Sequence, residues 1–136
     1  MARQWLIPIL ILIGVYVFSQ HSLKGGPEVS VHDAANLLKS VPRPVVVDLR
    51  DRTEFEQGHI SGALSVPGAE FKERLEDLKL PKVEVVILYD TDDAHAREAT
   101  KLMYESGYQG ALTLKGGLDA WRASGNGVVK PLPLKP

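Results

Sequence analysis

The 136-residue chain is 44% hydrophobic and 24% charged with a net charge of −1, which fits one compact domain plus a short appendage. The even balance, with no run of Lys or Arg, excludes the basic footprint of a nucleic-acid binder, so no nucleic-acid partner is expected. The absence of cysteine excludes disulfides, cysteine-ligated zinc and thiol redox chemistry.

The first predicted element is the apolar segment WLIPILILIGVYVF, Trp5 to Phe18. As a helix it would reach about 21 Å, short of a hydrocarbon core of about 30 Å, which suits a short anchor or a secretory signal segment. Its Leu/Ile density, with Trp5 and Tyr16 near the ends, favours an anchor; Val17 and Ser19 would fit cleavage ahead of Gln20. Arg3 before the segment, set against Lys24 after it, leaves a weak positive-inside bias, from which the N-terminus is expected in the cytoplasm and the rest of the chain outside it, on the periplasmic side in a bacterium. Residues 1–19 therefore read as anchor or signal, 20–27 as linker, 28–127 as the domain and 128–136 as a Pro-rich, extended tail.

Ser30 and Asp33 resemble a capping box, and Val31, Ala34, Ala35 and Leu38 repeat at helical spacing. Val45 to Val47 reads as a strand buried on both faces, carrying Asp48 at its end. A short helix from Arg52 to Gln57 stops at Gly58, a brief strand covers Ala63 to Val66, and Phe71, Leu75 and Leu78 mark a helical face. Val83 to Tyr89 predicts the central strand, and Ala94 to Ser106 a helix with Gly107 as its left-handed cap. Ala111 to Leu114 is a last strand, Gly116 and Gly117 a tight turn, and Leu118 to Ser124 a last helix. This alternation predicts an α/β fold whose mainly parallel sheet has helices on both faces, preceded by the N-terminal hydrophobic helix.

Three segments in this order, VVVDLRDRTEFEQGHISGALSVPGAEF, VEVVILYDTDDAHAREATKLMYESGY and LTLKGGLDAWRASG, resemble the rhodanese family. Asp48, Arg50, Glu54, Gly58, His59, Ile60, Gly62, Ala63 and Pro67 match its N-terminal signature; Gly116, Gly117, Trp121 and Gly125 match its C-terminal one. The resemblance implies the rhodanese-like three-layer fold and a loop, here Asp90, Thr91, Asp92, Asp93, Ala94 and His95, that follows the central strand and binds the ligand. Family members place a catalytic cysteine first in that loop and commonly end it with an arginine; Asp90 and His95 stand there in this chain. A hard carboxylate cannot hold a persulfide, so no catalytic residue is assigned, and sulfurtransferase activity is not expected to follow the fold. The Asp90 carboxylate is expected to turn into the loop's cradle of N–H groups as a built-in anion.

The expected role is a membrane-tethered or periplasmic binding or regulatory module, its membrane contact through residues 5–18 and a protein partner or small ligand at residues 90–95. Neither cofactor nor metal is assigned. Alternatives are an enzyme using Asp90, Asp92, Asp93 and His95, as a metal-assisted hydrolase or phosphotransferase, and a non-catalytic partner in sulfur transfer. Plainer readings make Asp93 an ordinary helix N-cap, Asp48 and Arg50 a pair that fixes their loop by capping and ion pairing, His59 and His32 backbone hydrogen bonders, and Trp121 a core anchor.

Overall fold

The structure, a computed structural model, describes residues 26–131. The apolar segment 5–18 and the end of the Pro-rich tail lie outside the described residues, so the expected N-terminal helix does too. Among the described residues no helix is long and apolar enough to cross a membrane.

The chain runs β1 Glu28–Val29, α1 Val31–Leu37, β2 Val45–Asp48, α2 Arg52–Gln57, β3 Leu64–Ser65, α3 Phe71–Arg74, β4 Val86–Tyr89, α4 Ala94–Glu105, β5 Ala111–Leu114 and α5 Gly117–Ala123. A 3-10 turn at Gly68–Glu70 leads into α3. The strands form one sheet in the order β1-β5-β4-β2-β3, every pairing parallel, with β4 at its centre. Alternate residues of β2 and β4 face opposite layers. Val47, Val86 and Leu88 pack with Phe71, Leu75, Ala96 and Met103 from α3 and α4. Val46, Ile87 and Tyr89 pack with Ala34, Leu118 and Trp121 from α1 and α5. Burial on both faces explains why these strands read as unbroken apolar runs.

Local signals set the boundaries. The Ser30 hydroxyl accepts the Asp33 N–H at 3.1 Å, capping α1 as its sequence implied. At the end of α4, Gly107 has φ 96°, Tyr108 N–H reaches Met103 O at 3.0 Å and Gly107 N–H reaches Tyr104 O at 3.0 Å. These bonds satisfy carbonyls that the helix end would otherwise leave open. The central strand is shorter than expected. It begins at Val86, because the Glu84 N–H turns back to Pro81 O at 3.1 Å and Val83 stands 91% exposed. A turn at Pro81 overrides the β propensity of Val83 and Val85.

Candidate functional site

The parallel register sets Asp48 beside Tyr89 at the C-terminal ends of β2 and β4. Asp48 is fully buried, and its charge is met on every side. Its Oδ1 accepts the Arg50 backbone N–H at 2.9 Å; its Oδ2 accepts Arg50 Nη2 at 2.7 Å and the Tyr89 hydroxyl at 2.7 Å. The same hydroxyl accepts the Ile60 N–H at 3.1 Å, and Arg50 Nη2 also donates to Gly58 O at 2.7 Å. Burial pushes the Tyr89 phenol well above its ordinary pKa, and the Asp48 charge pushes the same way. Burial opposes the charge on Arg50, but Asp48 outweighs it and holds the guanidinium above its usual value. Ion pairing thus fixes this loop as expected. Asp48 also holds the Arg50 backbone N–H of that loop, while the N-cap of α2 itself, Asp51, makes no side-chain hydrogen bond.

One residue after Tyr89, the chain leaves β4 and forms the loop 90–95. The carbonyls of Asp90 and Thr91 turn outward and accept the N–H groups of Leu118 at 2.9 Å and Asp119 at 3.0 Å, at the start of α5. Gly116 at φ 77° and Gly117 at φ 62° make this approach feasible; a Cβ on Gly117 would lie 2.3 Å from Asp92 O and 2.6 Å from Asp90 O. The glycine pair is therefore the floor on which the loop rests.

With its carbonyls outward, the loop's acidic side chains take up inward bonds. Asp90 Oδ1 accepts the Thr91 N–H at 2.6 Å, and Asp90 Oδ2 accepts His95 Nδ1 at 3.0 Å. A carboxylate only accepts, so Nδ1 carries the proton and Nε2 is the free face of the imidazole. Asp92 Oδ1 accepts the Ala94 N–H at 3.0 Å. Asp93 occupies the N-cap position of α4 but its side chain does not cap, contrary to the plainer reading. Its Oδ2 accepts the Gly116 N–H at 2.9 Å and Arg97 Nη2 at 3.1 Å, tying the loop to the glycine turn.

Beside the loop lies a cavity of ≈ 540 Å³ between the 3-10 turn, the segment after β2 and α4. Asp90, Thr91, Asp92 and His95 line it together with Arg50, while Asp93 and Ala94 do not. Asp90 is 14% exposed at its inner wall and His95 is 77% exposed at its mouth. Among the described residues, no three His, Asp or Glu side chains converge to hold a metal ion. Of the four residues of the metal-assisted alternative, Asp90, Asp92 and His95 line the cavity and Asp93 turns to Gly116 and Arg97.

Of the other marked residues Glu54 lines the cavity, whereas His59, His32 and Trp121 lie away from it. His59 Nδ1 donates to Phe55 O at 2.8 Å while its ring stacks on Phe55 at 3.7 Å between centroids, as a backbone hydrogen bonder should. His32 departs from that reading: it is exposed and its Nε2 meets the Asn36 side-chain amide at 3.3 Å. Trp121 is buried and donates Nε1–H to Gly127 O at 3.0 Å. The site residue that sequence reasoning missed is Tyr89. Its signal was a phenol at the end of an otherwise aliphatic buried strand, since a buried hydroxyl requires partners.

A family model described as the rhodanese-like domain matches residues 30–124. The uncharacterized Escherichia coli K12 protein YibN is 30% identical over 114 residues, covering 83% of this chain and 80% of its own length. The solution structure of the rhodanese-like domain of an Anabaena protein superposes with a TM-score of 0.67 at 29% identity, over 77% of this chain and 80% of that one. The human single-domain sulfurtransferase TSTD1 gives a TM-score of 0.66 at 28% identity, over 73% of this chain and 97% of its own.

Proposed function

We propose that this chain, which belongs to the rhodanese-like domain family, is a binding module without sulfurtransferase activity. In this reading Asp90 occupies the family's nucleophile position. The observation that carries it is the Asp90 side chain itself: it follows the central strand, lies at the cavity wall and is engaged by the Thr91 N–H and His95. Sulfur transfer needs a soft nucleophile that attacks a sulfane sulfur and holds it as a persulfide, and none of the 136 residues is a cysteine. The loop is instead a recognition surface for a protein partner or small ligand. Residues 5–18 hold it at a membrane with the domain outside the cytoplasm, or export it before cleavage near Ser19, and tethering raises the partner's effective concentration.

The test has two parts. Restoring sulfur chemistry with Asp90→Cys should leave thiosulfate sulfurtransferase activity at least about a hundredfold below that of a cysteine-bearing family member, because Asp92 and His95 remain unsuited to thiosulfate. Robust activity would overturn the reading. Crosslinked capture from native membranes should retain a partner on the original chain and lose it when Asp90, Asp92, Asp93 and His95 are all alanine.

One observation favours a second reading. Asp90 holds His95 by Nδ1 and leaves Nε2 free at a cavity mouth, an arrangement that can take a proton from water in hydrolysis. Ester or phosphoester turnover by the full chain that His95→Ala abolishes would select this reading over binding.

A further inference from the structure

The charge around the cavity bears on what it can admit. Its carboxylates come from three separate stretches of chain: Asp51 and Glu54 after β2, Asp90 and Asp92 in the loop, and Glu98 on α4. Of the basic groups that face them, Arg50 is already committed to Asp48 and Gly58 O, and His95 to Asp90. Among the described residues that line the cavity, Lys72 is the remaining cation. Two of the loop's N–H groups are also met from within, Thr91 by Asp90 and Ala94 by Asp92, so the Asp90 carboxylate engages one N–H of the loop and not the whole cradle. The wall behind this rim is apolar, made by Leu49, Ala99 and Leu102, and ≈ 540 Å³ far exceeds the needs of a bare ion.

We infer that the cavity takes an ammonium or guanidinium group carried on an apolar stem, such as a lysine or arginine side chain or a small alkylamine. The inference rests on the binding reading given above. The stem lies along Leu49 and Leu102 while the cation is shared by Asp92, Glu98 and the carboxylates opposite. An anion such as thiosulfate meets uncompensated negative charge at the same place.

The test uses the full-length, 15N-labelled chain in detergent micelles, titrated with Nα-acetyl-arginine amide, with butylamine and, separately, with thiosulfate. The expected result is saturable shifts of the loop and Glu98 amides with both cations and none with thiosulfate. Glu98→Gln and Asp92→Asn should each weaken binding roughly fivefold, and added salt should weaken it further. Stronger binding of an arginine within an apolar tripeptide would identify a protein segment as the source. Equal binding of butylamine and the tripeptide would identify a small amine. Saturable thiosulfate shifts, or cation shifts unaffected by both variants, would overturn the inference. If the cations fail while Asp90→Cys stays inactive, this inference falls and the binding reading stands; robust sulfur transfer by Asp90→Cys would remove both.

Discussion

One oxygen, the hydroxyl of Tyr89, joins three segments by donating to Asp48 and accepting from Ile60. Tyr89→Phe should therefore cost about 1–3 kcal/mol in urea unfolding, since it leaves a buried carboxylate oxygen and a buried N–H each short of a partner. Its effect on pH dependence has a definite sign. The folded-state pKa is raised, so the unfolded chain loses this proton first; the contribution is fully present below pH of about 10 and is lost as pH rises toward the folded value. The original chain should lose stability above that point up to about 1.4 kcal/mol per pH unit more steeply than Tyr89→Phe, by urea midpoints at successive pH values. Asp48 and Arg50 were legible because motif and spacing marked them together. Tyr89 was not, because its partner in register lies on another strand. Asp93 was read as the cap of α4, where Asp92 holds the Ala94 N–H, for a similar reason: which neighbouring carboxylate serves the helix start depends on where Gly116 and Arg97 sit, and those are tertiary facts.

The loop after β4 and the start of α5 form one unit, held by Leu118 and Asp119 N–H groups on the loop carbonyls. This places the functional importance of the second glycine of the pair in its missing Cβ. Gly117→Ala would require a left-handed backbone for alanine and push a methyl into Asp90 O and Asp92 O. It should cost about 2 kcal/mol or more and shift the amides of residues 90–93, whereas the same change at Gly127, where a Cβ meets nothing within 4 Å, should be nearly silent. Elements whose boundaries are set by local chemistry could be read in advance: Ser30 caps α1, Gly58 ends α2 and Gly107 ends α4. Where a boundary depends on pairing, periodicity overran it. Val83 and Val85 look like strand, yet Val86 is the first residue of β4 to pair with both neighbouring strands.

The sheet's two apolar layers are closed in different ways, and the difference is testable. Helices α3 and α4 cover one layer; the other, under α1 and α5, is completed where the chain returns after α5. There Val128 packs against the layer, Trp121 holds Gly127 O, and His59 and Val129 exchange N–H bonds at 2.9 and 2.8 Å. The return thus joins α5 to the segment that Tyr89 and Arg50 anchor from beneath, and it bears on the far side of the same Gly58 to Ile60 stretch. If these contacts form one cooperative unit, the residues after α5 are part of the fold and not a frayed end. Val129→Pro removes the N–H given to His59 O and should lower stability by about 1–3 kcal/mol. Native-state hydrogen exchange would show the consequence: the Val129 amide of the original chain should exchange as slowly as the Ile60 amide, and Val129→Pro should speed exchange at both His59 and Ile60. Fast exchange at Val129 beside a slow Ile60 would show instead that the return packs without joining the unit, leaving the Asp48, Arg50 and Tyr89 network to hold the site alone.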